Sequence, residues 1–262
     1  MRIGVISDIH GNLTALDAVL ADLERARVDR IVCLGDVAAT GSQPRQTVER
    51  LRALDYPTVL GNADEELVNM RAETPGAETP DMDEDGRRLL DIDRWCAAQF
   101  APADLDYLRA FRPTLTLPLG DGQTLLCMHG SPRSYDDVIV ASTPEDDLAR
   151  MLSGVDAAVV AGGHTHEQLL RRYKETVILN PGSVGLPFER GTGMDDVRNP
   201  PWAEYAIVAE EDGVMSIELR RVPIDVGAVV RAIRDSGIPH AAWLAQDWQR
   251  RSGPGAVEAR IP

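Results

Sequence analysis

The chain has 262 residues, 44% of them hydrophobic, and a formal net charge of −15. That is enough apolar material for the core of one large α/β domain or two small ones. Such acidity argues against a nucleic-acid duplex or an anionic membrane as partner, but not against a small phosphorylated substrate, because bound divalent cations reverse the field locally.

The three cysteines, Cys33, Cys96 and Cys127, form no C-x-x-C pair, and Cys33 and Cys127 sit in apolar runs. A disulfide framework is not expected, which fits a reducing compartment. The N-terminus starts directly in a strand-like run, with no secretory apolar segment, and no stretch is apolar enough to span a bilayer. A cytoplasmic protein is expected. The basic residues are almost all arginine, Lys174 being the single lysine.

In chain order, the apolar run Ile3-Gly4-Val5-Ile6 reads as a buried first strand and leads into Ser7-Asp8-Ile9-His10-Gly11-Asn12. Strand alternation would put Asp8 and His10 on one side of a frayed strand end, a carboxylate and an imidazole facing one ion. Leu13 to Arg25 carries leucines and Val19 at helical spacing. Arg30 to Leu34 is a second strand ending in Gly35-Asp36, and Pro44 opens a helix through about Leu54. Pro57 to Leu60 reads as a short third strand, followed by Gly61-Asn62-Ala63-Asp64. Strands and helices alternating in this way predict a mostly parallel sheet.

From about 65 to 112 the pattern changes to a helical excursion, with an exposed acidic loop over Ala72 to Gly86 and helices over Leu89 to Phe100 and Ala103 to Phe111. Asp81 to Gly86 resembles the front of an EF-hand loop, but position twelve is Ile92 rather than glutamate, so a solvated loop is expected. Leu115 to Leu119 and Gln123 to Met128 pair across Gly120-Asp121-Gly122. The second of these leads into His129-Gly130-Ser131-Pro132. Pro144 to Leu152 is a helix, and the strand Ala157 to Ala161 exits into Gly162-Gly163-His164-Thr165-His166. Val177 to Leu179 precedes Asn180-Pro181-Gly182-Ser183. Two strands, Ala203 to Val208 and Val214 to Arg220, and two helices, Asp225 to Arg234 and Ala241 to Gln249, complete the chain. No internal repeat or linker is visible, and a single domain over 1–262 is expected.

The strand exits gather Asp8, His10, Asp36, Asn62, His129, His164 and His166. Four of the chain's five histidines are among them, His240 being the exception. Independent turns would not concentrate histidine in this way. Seven nitrogen and oxygen donors with no thiolate exceed one tetrahedral zinc site and suit two ions, with Mn²⁺ or Fe favoured and Zn²⁺ or Ni²⁺ as further candidates.

In order, Asp-x-His, Gly-Asp, Gly-Asn-x-Asp, His-Gly and Gly-His-x-His resemble the motifs of the calcineurin-like metallophosphoesterases, and most closely their small bacterial and archaeal phosphodiesterases. The resemblance implies a four-layer α/β/β/α sandwich of two mixed sheets flanked by helices. It also implies that Asp8, His10 and His166 hold one metal, that Asn62, His129 and His164 hold the other, and that Asp36 bridges them. Two ions about 3.5–4 Å apart would activate a bridging water for in-line attack on phosphorus. The expected substrate is a small phosphodiester or phosphoanhydride, nucleotides being one candidate class, with duplex nucleic acid and membranes not expected as partners and a homo-oligomer left open.

The family's third motif usually reads Gly-Asn-His, and that histidine is thought to protonate the leaving group. Here the position is Ala63. Three readings stay open: a leaving group good enough to need no acid, another donor such as Asp64 or a group from the excursion, or a catalytically weak metal- or nucleotide-binding regulator. General acid catalysis contributes roughly 10²–10⁴-fold, so its loss leaves the metals' contribution standing. Arg133 is a candidate phosphate contact, since its fork matches phosphate oxygens. Arg190, Asp195, Asp196 and Arg198, in the loop from Phe188 to Pro201, could shape the pocket, but ordinary surface charge is the expected account. Ser131 and Ser183 have no base assigned to them and are expected in turns or phosphate hydrogen bonds.

Overall fold

The computed structural model describes residues 1–72, 82–190 and 197–249. β1 (Arg2–Ile6) lies between β2 (Arg30–Cys33), its parallel neighbour, and β10 (Trp202–Glu211), which with β11 (Val214–Pro223) forms an antiparallel pair. This gives a mixed four-stranded sheet in the order β11-β10-β1-β2. The second sheet runs β3-β4-β5-β7-β6, with β3 (Leu115–Gly120), β4 (Gln123–Cys127), β5 (Val159–Ala161), β6 (Leu169–Tyr173) and β7 (Thr176–Asn180). Its central strands β4, β5 and β7 are parallel. A small pair, β8 (Glu189–Arg190) and β9 (Val197–Arg198), stands apart.

The helices are α1 (Leu13–Ala26), α2 (Pro44–Leu54), α3 (Asn62–Ala72), α4 (Glu84–Ala98), α5 (Pro102–Arg109), α6 (Glu145–Met151), α7 (Val226–Asp235), α8 (Ala241–Leu244) and α9 (Gln246–Gln249). Three apolar layers stack the four structural ones. Between the sheets, Ile3, Val5, Val32 and Val208 meet Leu117, Leu125, Val159 and Leu179. On the outer face of the first sheet, Ile6, Cys33 and Ile207 pack with Leu16, Val48, Leu51 and Ile233 of the helices. On the outer face of the second, Val160 and Ile178 meet Leu148 and Leu152. Burying each large aliphatic side chain contributes about 1.5–3 kcal/mol, so the middle layer binds the two sheets firmly. The architecture is the expected α/β/β/α sandwich.

Local chemistry explains the boundaries. Asn12 caps α1 by accepting from the Ala15 amide at 3.1 Å, and Arg27 ends the helix in a left-handed turn. Some sequence expectations change. Pro57 to Leu60 is not a strand but two isolated parallel bridges, Cys33 to Thr58 and Val59 to Arg112; Pro57 has no amide to donate, and Gly61 follows within four residues. The helix expected from Leu89 begins at Glu84, capped by Asp83, whose side chain accepts from the Gly86 amide at 2.7 Å. The acidic run is therefore a cap and first turn, where negative charge suits the helix dipole; Asp81 lies outside the described residues. The last helix is two short ones, α8 and α9. Sequence reading missed β6, whose Leu-Leu-Arg-Arg-Tyr has no two-residue alternation, and started the helical excursion late, since α3 begins at Asn62.

Candidate metal centre

Because β1 and β2 run parallel, as do β4 and β5, the loops leaving them meet at one edge. Asp8 and His10 follow β1, Asp36 follows β2, His129 follows β4, and His164 and His166 follow β5; Asn62 is the first residue of α3. The loops interlock through backbone bonds, with Asp8 N donating to Gly35 O at 3.0 Å and His10 N to Asp36 O at 2.9 Å.

Strand alternation is not what aligns Asp8 with His10. β1 ends at Ile6, and Asp8, His10, Asp36, His164 and His166 all have left-handed backbones, with φ from 46° to 67°. L-residues adopt that conformation at a cost of about 1 kcal/mol or more each. Five such corners in one cluster turn the side chains inward, and strain of this kind gathers at functional sites.

The structure brings all seven donors together. Asp8 Oδ1 lies 3.4 Å from His166 Nε2 and 4.0 Å from the Nε2 atoms of His10 and His129. Asp36 Oδ2 is 3.2 Å from His129 Nε2 and 3.8 Å from His10 Nε2. Asn62 Oδ1 sits 2.9 Å from His129 Nε2 and 3.0 Å from His164 Nδ1. Two tight groups of possible ligand atoms result, Asp8 with His10 and His166, and Asp8 with Asp36 and His129. Asp8 belongs to both, so two carboxylates, rather than Asp36 alone, border both halves.

Backbone carbonyls orient the rings. His10, His129 and His166 place Nδ1 against Ala39 O (3.0 Å), Leu34 O (2.7 Å) and Leu186 O (2.7 Å). Assigning the proton to Nδ1 in each leaves Nε2 aimed inward, the arrangement that metal-binding histidines use. The consequence is electrostatically incomplete. His10 and His166 face each other Nε2 to Nε2 at 3.2 Å, and the buried Asp8 Oδ1 has no hydrogen-bond partner. These residues fit divalent cations, because lone pairs aimed at lone pairs in a buried site call for positive charge.

The local field agrees. Burial would raise the Asp36 carboxyl, but His129, His10 and His166 pull it well below the usual range. Asp8 is likewise lowered, with burial outweighed by His166 and His129. Burial and His166 push the His10 imidazole down. Burial opposes protonation of His129, yet Asp36 and Asp8 push it up to about 10.

Glycines admit this crowding. A Cβ on Gly61 would lie 2.0 Å from Asp36 Oδ1, and one on Gly163 would lie 2.0 Å from Ser7 Oγ and 2.6 Å from Asp8 Oδ2.

The remaining candidates lie elsewhere. Asp64 is fully buried, accepting from the Val37 amide at 2.9 Å and the Gly61 amide at 3.3 Å, behind Asp36 rather than in the open cleft. Burial and Asp36 raise its carboxyl to about 7. Arg133 is exposed and paired with Asp137, Nε to Oδ2 at 2.7 Å. Ser131 donates to Asp137 at 2.6 Å and Ser183 to the Asp8 carbonyl at 2.7 Å, so both serve loop geometry. Arg198 pairs with Glu189 at 2.8 Å, while Asp195, Asp196 and the Arg190 side chain lie outside the described residues.

The centre opens into a cleft of about 430 Å³, walled by Glu66 of α3, Leu89 and Asp93 of α4, Phe188, and Trp243 of α8. Sequence reading missed these wall residues. They come from distant segments, and no spacing links them.

The chain is similar to several known proteins. Among solved structures, a metallophosphoesterase from Sphaerobacter thermophilus is 29% identical with a TM-score of 0.69, covering 95% of this chain and 99% of its own. The hypothetical protein PH1004 from Pyrococcus horikoshii OT3 shares the fold at a TM-score of 0.74 and 18% identity, covering 94% and 96% of the two chains. An uncharacterized protein of Methanocaldococcus jannaschii, MJ0912, is 26% identical over 261 residues, 93% of this chain and 96% of its own. The calcineurin-like phosphoesterase superfamily domain matches residues 1–195, and the chain belongs to that superfamily. Among the described residues no helix is long and apolar enough to cross a membrane.

Proposed function

We propose that the protein hydrolyses phosphodiester or phosphoanhydride bonds of small substrates, using two divalent cations held by Asp8, His10, Asp36, Asn62, His129, His164 and His166. The observation that carries this reading is the convergence of these donors with their lone pairs unmatched, His10 Nε2 against His166 Nε2 at 3.2 Å above all. Bound there, the cations would supply Lewis-acid activation of water and neutralise charge developing on the phosphoryl group. Mn²⁺ or Fe suits a nitrogen and oxygen donor set of this kind, with Zn²⁺ or Ni²⁺ as alternatives.

The chain's own residues do the rest. Carbonyls of Leu34, Ala39 and Leu186 hold the imidazoles, and the Asp64 carboxyl fixes the loops of Asp36 and Asn62. Ala63 lines the cleft without a proton donor of its own. Glu66, one helical turn on, lines the same cleft, and burial, with Asp36 adding to it, raises its carboxyl. Glu66 is the group from the helical excursion best placed to protonate a leaving oxygen. Asp93 is less free, since its carboxylate accepts from both the amide and the hydroxyl of Thr40 at 2.8 and 2.9 Å.

Hydrolysis of bis(p-nitrophenyl) phosphate with Mn²⁺, Fe²⁺, Zn²⁺ or Ni²⁺, and after chelation, tests the reading. Metal-dependent turnover is expected. Metal uptake without turnover would favour the regulator that the substitution at Ala63 leaves open, and no uptake would end both readings. Glu66→Gln should slow esters of poor leaving groups most.

A further inference from the structure

Part of the cleft is not built for charge. Leu89 and Phe188 are 38% and 39% exposed, and both line the cleft with Trp243 and Leu244. Apolar surface left in water at the mouth of a polar site is surface that a ligand can cover. Phe188 is held in place rather than merely exposed. Its ring stacks on His166 with centroids 4.7 Å apart and planes 14° from parallel. Asn199 steadies the residue before it: with the amide oriented to satisfy both ends, its nitrogen donates to Pro187 O at 3.1 Å and its oxygen accepts from Trp248 Nε1 at 3.2 Å. Trp243 is backed by the Arg88 guanidinium, 5.6 Å from the ring centroid. α8 is tied to α4 by His240 and Asp91 at 3.0 Å. Both aromatic rings are thus positioned before any ligand arrives, which lowers the entropy cost of stacking on them.

The charges narrow the ligand further. Among the described residues that line the cleft, the carboxylates are Asp36, Glu66, Asp93 and Asp247, and none is Lys or Arg. One phosphoryl group would be matched by the metals. A second would lie among these carboxylates, since the Arg88 guanidinium behind Trp243 is already paired with Asp85 at 2.9 Å and with Glu84, whereas phosphate recognition ordinarily uses a free Arg or Lys.

Resting on the phosphoesterase reading above, we propose that Phe188, with Trp243 in the same cleft, is a stacking subsite for a planar aromatic group carried by a substrate with a single phosphoryl group. The shared chemistry is a flat π-surface beside one phosphate, in a nucleoside monophosphate ester or a simple aryl ester.

Binding calorimetry with the Mn²⁺-loaded protein tests this apart from turnover. Adenosine 5′-monophosphate should bind about tenfold or more tightly than ribose 5-phosphate, the range that base–aromatic stacking supplies. Phe188→Leu, which keeps apolar bulk but loses the plane, should shrink that preference to about threefold or less, and Phe188→Tyr should retain it. Phenyl phosphate separates the sources: if it binds more tightly than the nucleotide, the ligand is an aryl ester, and if less tightly, a nucleoside ester. Adenosine diphosphate should bind no more tightly than the monophosphate. A wild-type preference near unity, a preference that survives Phe188→Leu, or a diphosphate bound about tenfold more tightly would overturn the proposal. Absence of bis(p-nitrophenyl) phosphate hydrolysis with the preference intact would overturn the enzymatic reading alone. Hydrolysis with no preference would overturn the subsite alone.

Discussion

His10 and His166 point their Nε2 atoms at each other across 3.2 Å while each rests its Nδ1 on a backbone carbonyl. Two neutral imidazoles so arranged repel, and only a cation or an extra proton makes the contact favourable. Metal should therefore stabilise the fold as well as activate it. A ligand at 100 times its Kd adds about 2.7 kcal/mol. Calorimetry should show Tm several degrees lower after chelation and restored by Mn²⁺, with His10→Ala and His166→Ala each losing most of that response. A Tm indifferent to metal in the unmodified chain would count against the centre.

Metal binding should also expel a proton near neutral pH. In the metal-free chain His129 Nε2 faces the oxygens of Asn62, Asp36 and Asp8 at 2.9, 3.2 and 4.0 Å, and it holds its second proton up to about pH 10. Protonation competes with metal below that value and not above it. Affinity should rise about tenfold per pH unit between pH 7 and 9 for this one proton. Titrations in buffers of differing ionisation enthalpy would measure the release directly, and a pH-independent affinity would contradict it.

Asp64 should matter for stability and metal affinity rather than for proton transfer. Asp64→Ala strands the buried amides of Val37 and Gly61, at a cost of about 1–3 kcal/mol per group. Denaturant unfolding should show that loss, and metal should bind more weakly. The dependence of rate on leaving-group pKa should stay as in the unmodified chain; a steeper dependence would restore Asp64 as the acid.

Ala63→His should restore a donor at the cleft, and esters of poor leaving groups should gain most, about tenfold or more. Rates for a series of aryl phosphodiesters, plotted against leaving-group pKa, would check this. An equal gain across the series would mean the histidine acts in another way.

Gly163→Ala should damage the centre from behind. Its methyl would arrive 2.0 Å from Ser7 Oγ and 2.6 Å from Asp8 Oδ2, both buried. Overpacking of this kind costs about 1–3 kcal/mol, and here the neighbour that must move is a candidate ligand. Metal titration and thermal unfolding should both register it, whereas Gly154→Ala, where a Cβ would meet nothing within 4 Å, should leave metal affinity unchanged.

The donors were legible because each follows an apolar run closely enough for the local sequence to show it. How they converge was not. Alternation along a strand predicts that Asp8 and His10 share a side, but left-handed turns bring them together, and positive φ, though commoner for Asp and His than for most residues, is not fixed by identity. The start of α4 was misplaced because acidic residues next to glycine read equally well as loop or as helix cap. Phe188, Trp243 and Glu66 were invisible as a set, since three-dimensional proximity alone relates them. The isolated bridges at Thr58 and Val59 show the opposite failure, in which a β-like stretch finds too few partners to become a strand.

The cluster of corners at Asp8, His10, Asp36, His164 and His166 has an evolutionary corollary. Glycine sits comfortably in that conformation, so each replacement by glycine would relax the backbone by about 1 kcal/mol or more in the metal-free chain. Against that relief stand the backbone groups these side chains hold, Asp36 Oδ1 accepting from the Ala63 amide at 2.9 Å and Asp8 Oδ2 from the His164 amide at 3.2 Å, so a descendant no longer selected for chemistry would trade lost strain for stranded amides worth about 1–3 kcal/mol each.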